Sequence, residues 1–175
     1  NFGSAGNGTS HHLIGELFKM RTGTDIVHVP YKGAGPMMAD LLAGNVDMAF
    51  DGMGTSANQI KGGKLKAYAV SGPKRNPALP DVPTFAEQGY PMLGEIAWMG
   101  LWVKPAVPAD IQAKVRQATL KVMSQPAVQA RLAEFGNDLG SGATPEELSK
   151  ALQAASDKQG ATLRALGVKP QDLGG

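Results

Sequence analysis

Residues 26–44 read Ile26-Val27-His28-Val29-Pro30-Tyr31-Lys32-Gly33-Ala34-Gly35-Pro36-Met37-Met38-Ala39-Asp40-Leu41-Leu42-Ala43-Gly44. Ile26 to Val29 is a short, mostly β-branched run stopped by Pro30, which reads as a buried strand. Tyr31 to Gly35 is a small loop. Pro36 suits the first helical position, where its missing N–H costs nothing. Met37, Met38, Leu41 and Leu42 then form an apolar stripe at helical spacing, and Gly44 suits the helix end. The stretch is therefore one strand–loop–helix unit.

The same unit recurs on both sides. Upstream, the polar loop Ser4-Ala5-Gly6-Asn7-Gly8-Thr9-Ser10 precedes a helix from about His11 to Met20. Leu13, Ile14, Leu17 and Phe18 make its apolar face, Thr9 or Ser10 can cap it, and Gly23 ends it. Downstream, Val46 to Phe50 reads as a strand and Asp51-Gly52-Met53-Gly54-Thr55-Ser56 as a third small loop. A short helix to about Ile60 and a Gly62-Gly63 turn lead to an expected strand from Leu65 to Val70. Alternating helices and strands predict an α/β sheet with parallel pairs. Ligands of such sheets sit beyond the carboxyl ends of the strands, so loops 4–10, 31–35 and 51–56 are expected to line one edge.

The second half reads differently. Ser71 to Pro83 is extended and carries Pro73, Pro77, Pro80 and Pro83. Thr84-Phe85-Ala86-Glu87 is a capping box predicting a short helix. Glu95 to Val103, with Trp98 and Trp102, predicts a strand leaving the first lobe. Helices are then expected over Asp110–Ser124 (Ile111, Val115, Ala118 and Val122 inward) and from Pro126 to Gly136 (Val128, Leu132 and Phe135 inward). A second capping box, Thr144-Pro145-Glu146-Glu147, opens a last helix running to about Leu166, with Gly167 ending it. Three helices with one strand read as the cover of a sheet whose other strands are absent from the chain.

Composition narrows the function classes. The chain has 175 residues, enough for one domain or two small lobes. Seventeen Lys and Arg against fifteen Asp and Glu give a net charge of +2, which supplies no basic face for nucleic acid. The absence of cysteine removes disulfides, thiolate metal sites and a cysteine nucleophile. No apolar run approaches the roughly 18 residues a membrane helix needs.

The loops exclude further classes. Gly3 and Gly8 have the spacing of a phosphate loop, but Thr9 stands where the lysine belongs. The order G-x-x-G-x-G over residues 3–8 is not the dinucleotide fingerprint G-x-G-x-x-G. What remains is a loop of hydroxyls and amides at a helix N-terminus, suited to a carboxylate. His11 and His12 are adjacent, so they point in different directions and lack metal-pair spacing; no metal or other cofactor is expected. His28 reads as a packed or solvated strand residue. No G-x-S-x-G elbow is present. Asp51, just after a strand, reads as an acceptor for a ligand hydroxyl or amine, as a loop organiser, or as a turn aspartate holding its own backbone. Tyr31 could offer a ring wall and a hydroxyl; Lys32 reads as a surface lysine.

Taken in order, these loops resemble the tripartite tricarboxylate transporter substrate-binding proteins, or Bug-type receptors. The matching strings are Gly6-Asn7-Gly8-Thr9-Ser10 with Gly15-Glu16-Leu17-Phe18, His28-Val29-Pro30-Tyr31-Lys32-Gly33, Gly35-Pro36, Asp40 to Asp47, and Phe50-Asp51. They continue with Gly63 to Ala67, Leu79 to Thr84, Trp98 to Leu101, and Thr144 to Glu147. The resemblance implies an α/β fold of the type II periplasmic binding-protein kind, with a ligand cleft between two lobes. It implies an extracytoplasmic receptor, not an enzyme, that captures a small carboxylate and delivers it to membrane permease subunits. Residues 1–97 would be the complete, ligand-cradling second lobe. Residues 98–175 would be the hinge strand and C-terminal portion of the first lobe, whose N-terminal part the chain lacks; self-association through that incomplete lobe is the corresponding expectation. The implied ligand-binding residues are Ser4, Ala5, Gly6, Asn7, Gly8, Thr9, Tyr31, Gly33, Ala34 and Asp51, with Thr9 and the Gly6–Thr9 amides as donors. Two rivals stay open: an α/β enzyme acting on a small organic acid, and the effector-binding domain of a transcriptional regulator.

Overall fold

The computed structural model describes residues 1–94, 100–137, 144–165 and 167. Its order is β1 (Phe2–Ser4), α1 (Ser10–Thr22), β2 (His28–Pro30), α2 (Ala34–Ala43), β3 (Met48–Ala49) and α3 (Met53–Lys61). A single 3-10 turn, Pro91–Leu93, follows; then come α4 (Ala109–Met123), α5 (Pro126–Glu134) and α6 (Pro145–Ala165). The sheet order is β2-β1-β3, with both pairings parallel. Phe2 stands opposite His28 on one side and Met48 on the other. The parallel α/β expectation is therefore met. The central strand, β1, is one that the sequence pattern did not predict.

Local chemistry accounts for these elements. Thr9 caps α1, its hydroxyl accepting from the His12 amide, and Gly23 closes the helix in the left-handed conformation. Helix α2 starts at Ala34, so Pro36 occupies its third position, still inside the first turn where no amide is needed. Phe2 is fully buried and Gly15 lies directly over its ring; a Cβ on Gly15 would come within 2.2 Å of Phe2 Cε2. That bare spot lets α1 lie close against the strand. Met37 and Met38 fill the core beneath α2, whereas Leu42 at the end of the predicted stripe stays exposed.

Several expectations are corrected. The strands are two or three residues long, where the sequence suggested four or five. Leu65 to Val70 forms no strand; only Val70 makes a bridge, parallel to Thr84. Residues 65–69 still alternate between half-buried and exposed, so the side-chain pattern is a strand's, but among the described residues they make no ladder. The Thr84 capping box forms fully: the Thr84 amide donates to Glu87 at 2.7 Å, and the Glu87 amide donates to Thr84 Oγ1 at 3.1 Å. No helix follows it, because Tyr90 N–H turns back to the Phe85 carbonyl and Gly89 takes a left-handed φ of 89°. Of the strand expected over Glu95–Val103, residues 95–99, including Trp98, lie outside the described residues, and residues 100–103 are not strand. Leu166, the expected end of the last helix, also lies outside them, while Gly167 takes the left-handed φ of a terminating residue.

Every buried apolar side chain among the described residues falls between Phe2 and Leu93. Helices α4, α5 and α6 bury none. They touch the α/β part at its flank, where the Asn76 side chain donates to the Gly136 carbonyl at 3.0 Å and Phe135 lines a groove against α3.

Candidate functional site

Each parallel strand hands over to its helix through a short loop: residues 5–9 after β1, 31–33 after β2 and 50–52 after β3. Because the strands are parallel neighbours, the three loops lie along one sheet edge, and α1, α2 and α3 all begin there. A helix N-terminus presents amides without intrahelical acceptors and a partial positive charge. Three of them side by side form an anion-attracting edge.

The first loop is tightly self-bonded. Ser4 is fully buried; its Oγ accepts from the Gly6 amide at 3.1 Å and lies 2.7 Å from His28 Nε2. The Gly8 amide donates to His12 Nδ1 at 3.0 Å. Thr9 Oγ1 donates to the Gly6 carbonyl at 2.7 Å, and the Thr9 amide donates to the same oxygen. Gly6 and Gly8 have φ of 134° and 74°, which side chains other than glycine rarely adopt. The donors expected to meet a ligand, the Gly6, Gly8 and Thr9 amides and the Thr9 hydroxyl, are thus already engaged. Among the described residues, Asn7, exposed at the loop tip, makes no hydrogen bond through its amide or side chain. The Ser10 and His11 amides, at the first two positions of α1, are likewise unbonded. Sequence reading missed Ser10 and His11; the signal was their position just after the cap.

The second loop is strapped to the first. The Tyr31 amide donates to the Ser4 carbonyl and the Gly33 amide to the Ala5 carbonyl, each at 3.0 Å. Tyr31 does not offer a free hydroxyl: its OH donates to Asp40 Oδ2 at 2.8 Å. That bond raises the Tyr31 pKa and lowers that of Asp40, which also accepts from Asn45. Gly33 caps α2 without a side chain, leaving the Ala34 and Gly35 amides open to the edge. Lys32 is exposed.

In the third loop, Gly52 caps α3, again with no side-chain cap, so the Met53 and Gly54 amides are open. Asp51 turns inward. One carboxylate oxygen accepts from Thr55 Oγ1, and the side chain is only 5% exposed. The other, Oδ1, is buried 3.8 Å from His11 Nδ1, and neither atom has a hydrogen-bond partner among the described residues. This geometry is that of a loop organiser, with the carboxylate holding the Thr55 side chain rather than its own backbone. The adjacent histidines diverge as their spacing requires, His11 toward Asp51 and His12 toward Gly8.

Beneath the first loop, the His12 and His28 rings stack at 4.1 Å and 13°, and Phe2 stacks on the other face of His28 at 5.0 Å. Burial lowers both imidazole pKa values, His28 to about 4. Each also feels Glu16, which favours the proton, and Lys19, which opposes it.

A parallel α/β lobe that directs three helix N-termini, with open amides, along one sheet edge has the anatomy of an anion-binding lobe. The comparisons with known proteins agree. The family described as "Tripartite tricarboxylate transporter family receptor" matches residues 1–168, and the chain belongs to it. A UPF0065 protein from the TAR-I ttuE-ttuC' intergenic region of Agrobacterium vitis is 41% identical over 135 residues, 77% of this chain and 39% of that protein. The periplasmic binding protein BugD superposes with a TM-score of 0.90 at 31% identity, over 96% of this chain and 56% of BugD. Rpa4515 of R. palustris, solved with adipate, gives a TM-score of 0.88 at 29% identity, over 95% of this chain and 56% of that one. MatC of Rhodopseudomonas palustris, with bound malate, gives 0.85 at 28% identity, over 93% and 56%. The chain thus has the α/β fold of periplasmic binding proteins and spans just over half the length of these structures.

Proposed function

We propose that this chain is the ligand-cradling part of an extracytoplasmic receptor that captures a small carboxylate in the periplasm and passes it to the membrane permease of a tripartite transporter. In this reading residues 1–97 are the ligand-cradling second lobe, and residues 98–175 are the hinge strand and C-terminal portion of the first lobe. The observation that carries the reading is the shared edge of α1, α2 and α3, whose open amides supply several donors and a positive field. The implied set from Ser4 to Thr9, with Tyr31, Gly33, Ala34 and Asp51, divides by role. Asn7 and Ala34 contact the ligand; Ser4, Gly6, Gly8, Thr9, Tyr31 and Asp51 hold the loops, and Ala5 and Gly33 tie two of them together. Adipate bound to Rpa4515 and malate bound to MatC support a small dicarboxylate as the solute proposed for this chain.

The proposal assigns no catalytic step to the chain: the Asp51 carboxylate, the acidic group nearest this edge in the third loop, is 5% exposed and one of its oxygens is held by the Thr55 hydroxyl.

A thermal-shift screen with adipate, malate and the diamine hexane-1,6-diamine tests the proposal. A ligand that binds only the folded state raises the melting temperature by mass action. A dicarboxylate should raise it and the diamine should not. Ala34→Pro sharpens the test: proline is favourable at the first helical position, yet it deletes one open amide. It should keep the fold and weaken dicarboxylate binding about tenfold, the scale of one hydrogen bond to a charged group. Equal shifts from diamine and dicarboxylate, or full affinity in Ala34→Pro, would contradict the proposed role of the edge.

A further inference from the structure

Of the three histidines of the chain, His11 turns toward Asp51 in the third loop, while His12 and His28 meet the frame of the first, although sequence reading gave none of them a role. Two of them are stacked and satisfy the loop from beneath. His12 Nδ1 accepts the Gly8 N–H, so this nitrogen carries no proton and the neutral ring keeps its proton on Nε2. His28 Nε2 meets Ser4 Oγ, which in turn accepts the Gly6 N–H. The two glycine amides of the loop are therefore held, directly or through one serine, by a pair of imidazoles in parallel contact.

From this geometry we infer that His12, supported by His28, is a positioning residue that keeps the 5–9 loop in its binding shape only while its ring is neutral. The consequence for ligand rests on the reading of this loop as part of a carboxylate cradle; the mechanism does not. Adding a proton at Nδ1 sets an N–H against the Gly8 N–H, donor against donor, and the brace is lost. It also sets a charge against the His28 ring, whose own protonation would add a second charge at 4.1 Å. The elements packed on α1 supply little to absorb that charge: β1 offers Phe2 and Ser4, β2 offers His28, the 3-10 turn offers no ionisable side chain, and the loop after β3 brings the Asp51 carboxylate to His11 rather than to His12. On α1 itself Glu16 and Lys19 act in opposite directions, and Lys19 is already paired with Glu16 at 3.3 Å. The expected behaviour is a cradle that is ordered near neutral pH and loosens on acidification, releasing its carboxylate before the α/β core melts.

The test reads the loop rather than the ligand. Amide hydrogen-exchange protection of Gly8, corrected for the intrinsic rate at each pH, is measured by NMR from pH 7.5 to 4 in the whole chain and in His12→Asn. The asparagine oxygen can accept the same N–H and does not titrate in this range. Gly8 protection should fall at least tenfold on acidification in the original chain and stay level in His12→Asn. Loss in both, or in neither, would overturn the inference. The imidazole nitrogen shifts of His12 in the unaltered chain provide a second readout if the variant does not fold. They should report the Nε2–H tautomer at pH 7.5, and protonation should coincide with the loss at Gly8. An Nδ1–H tautomer, or protonation that leaves Gly8 protected, would overturn it equally. Failure of adipate and malate to bind at any pH would count against the proposed function and leave these loop measurements standing.

Discussion

The two halves of this molecule use helices in opposite ways. In residues 1–94 the helices are short, and each owes its place to the sheet: α1 lies on Phe2 through the bare surface of Gly15, and α2 sinks Met37 and Met38. From Ala109 onward the helices are more regular, with a complete capping box at Thr144 and Glu147, yet none buries a side chain. Ile111, Leu120 and Val122 on α4, and Leu148 and Leu152 on α6, are all at least 40% exposed. Helical pattern and capping specify that a helix forms; they do not specify what covers it. The first half contains its own core. The second half carries apolar faces and, among the described residues, no buried apolar side chain, in a chain that spans 56% of its solved neighbours.

The largest expected effect separates the halves directly. Phe2→Ala should cost about 3–5 kcal/mol in urea unfolding, as buried aromatic deletions do. Leu120→Ala, 40% exposed, should stay within about 1 kcal/mol. Similar losses at both sites would mean that α4 packs more tightly than described. Glycine replacements sharpen the contrast by sign. Gly15→Ala drives a methyl into the Phe2 ring and should destabilise by about 1–3 kcal/mol. Gly160→Ala, inside α6 with only the Arg164 side chain near, should stabilise by up to about 1 kcal/mol through helix propensity.

A smaller effect follows from acid. His12 and His28 are held below the ordinary value of 6.5, so the unfolded chain binds protons more readily than the folded one. Their contribution is complete above pH 6.5 and is lost as pH falls toward about 4, the folded value for His28. All three histidines precede residue 29, so hydrogen exchange in α4 should follow this titration weakly and that of α1 strongly.

What the sequence made legible follows the same division. Loop glycines, caps and the strand–loop–helix rhythm act locally, so two βα units, the loop and helix of a third, and their common edge could be read from residues 26–56 and the flanking loop. β1 could not: it is three residues long, and its pairing depends on two partners distant in sequence. Leu65 to Val70 shows the converse, a local alternation that, among the described residues, makes only the Val70–Thr84 bridge. In the site, sequence placed the loop but not the direction of its donors. Which amides remain free was decided by His12 Nδ1 and Ser4 Oγ, contacts that no spacing rule encodes. Asp51 likewise could be placed at the edge, but its inward turn depends on Thr55 and His11 together.

The central claim is that the carboxylate sits on the edge shared by three helix N-termini. Titration of the isotope-labelled chain with adipate, followed by amide chemical shifts, tests it most directly. The largest changes should fall on Asn7, Ser10, His11, Ala34, Gly35, Met53 and Gly54, with α4 and α6 unmoved. Changes centred instead on the groove between α3 and α5, around Lys61 and Arg131, would contradict it.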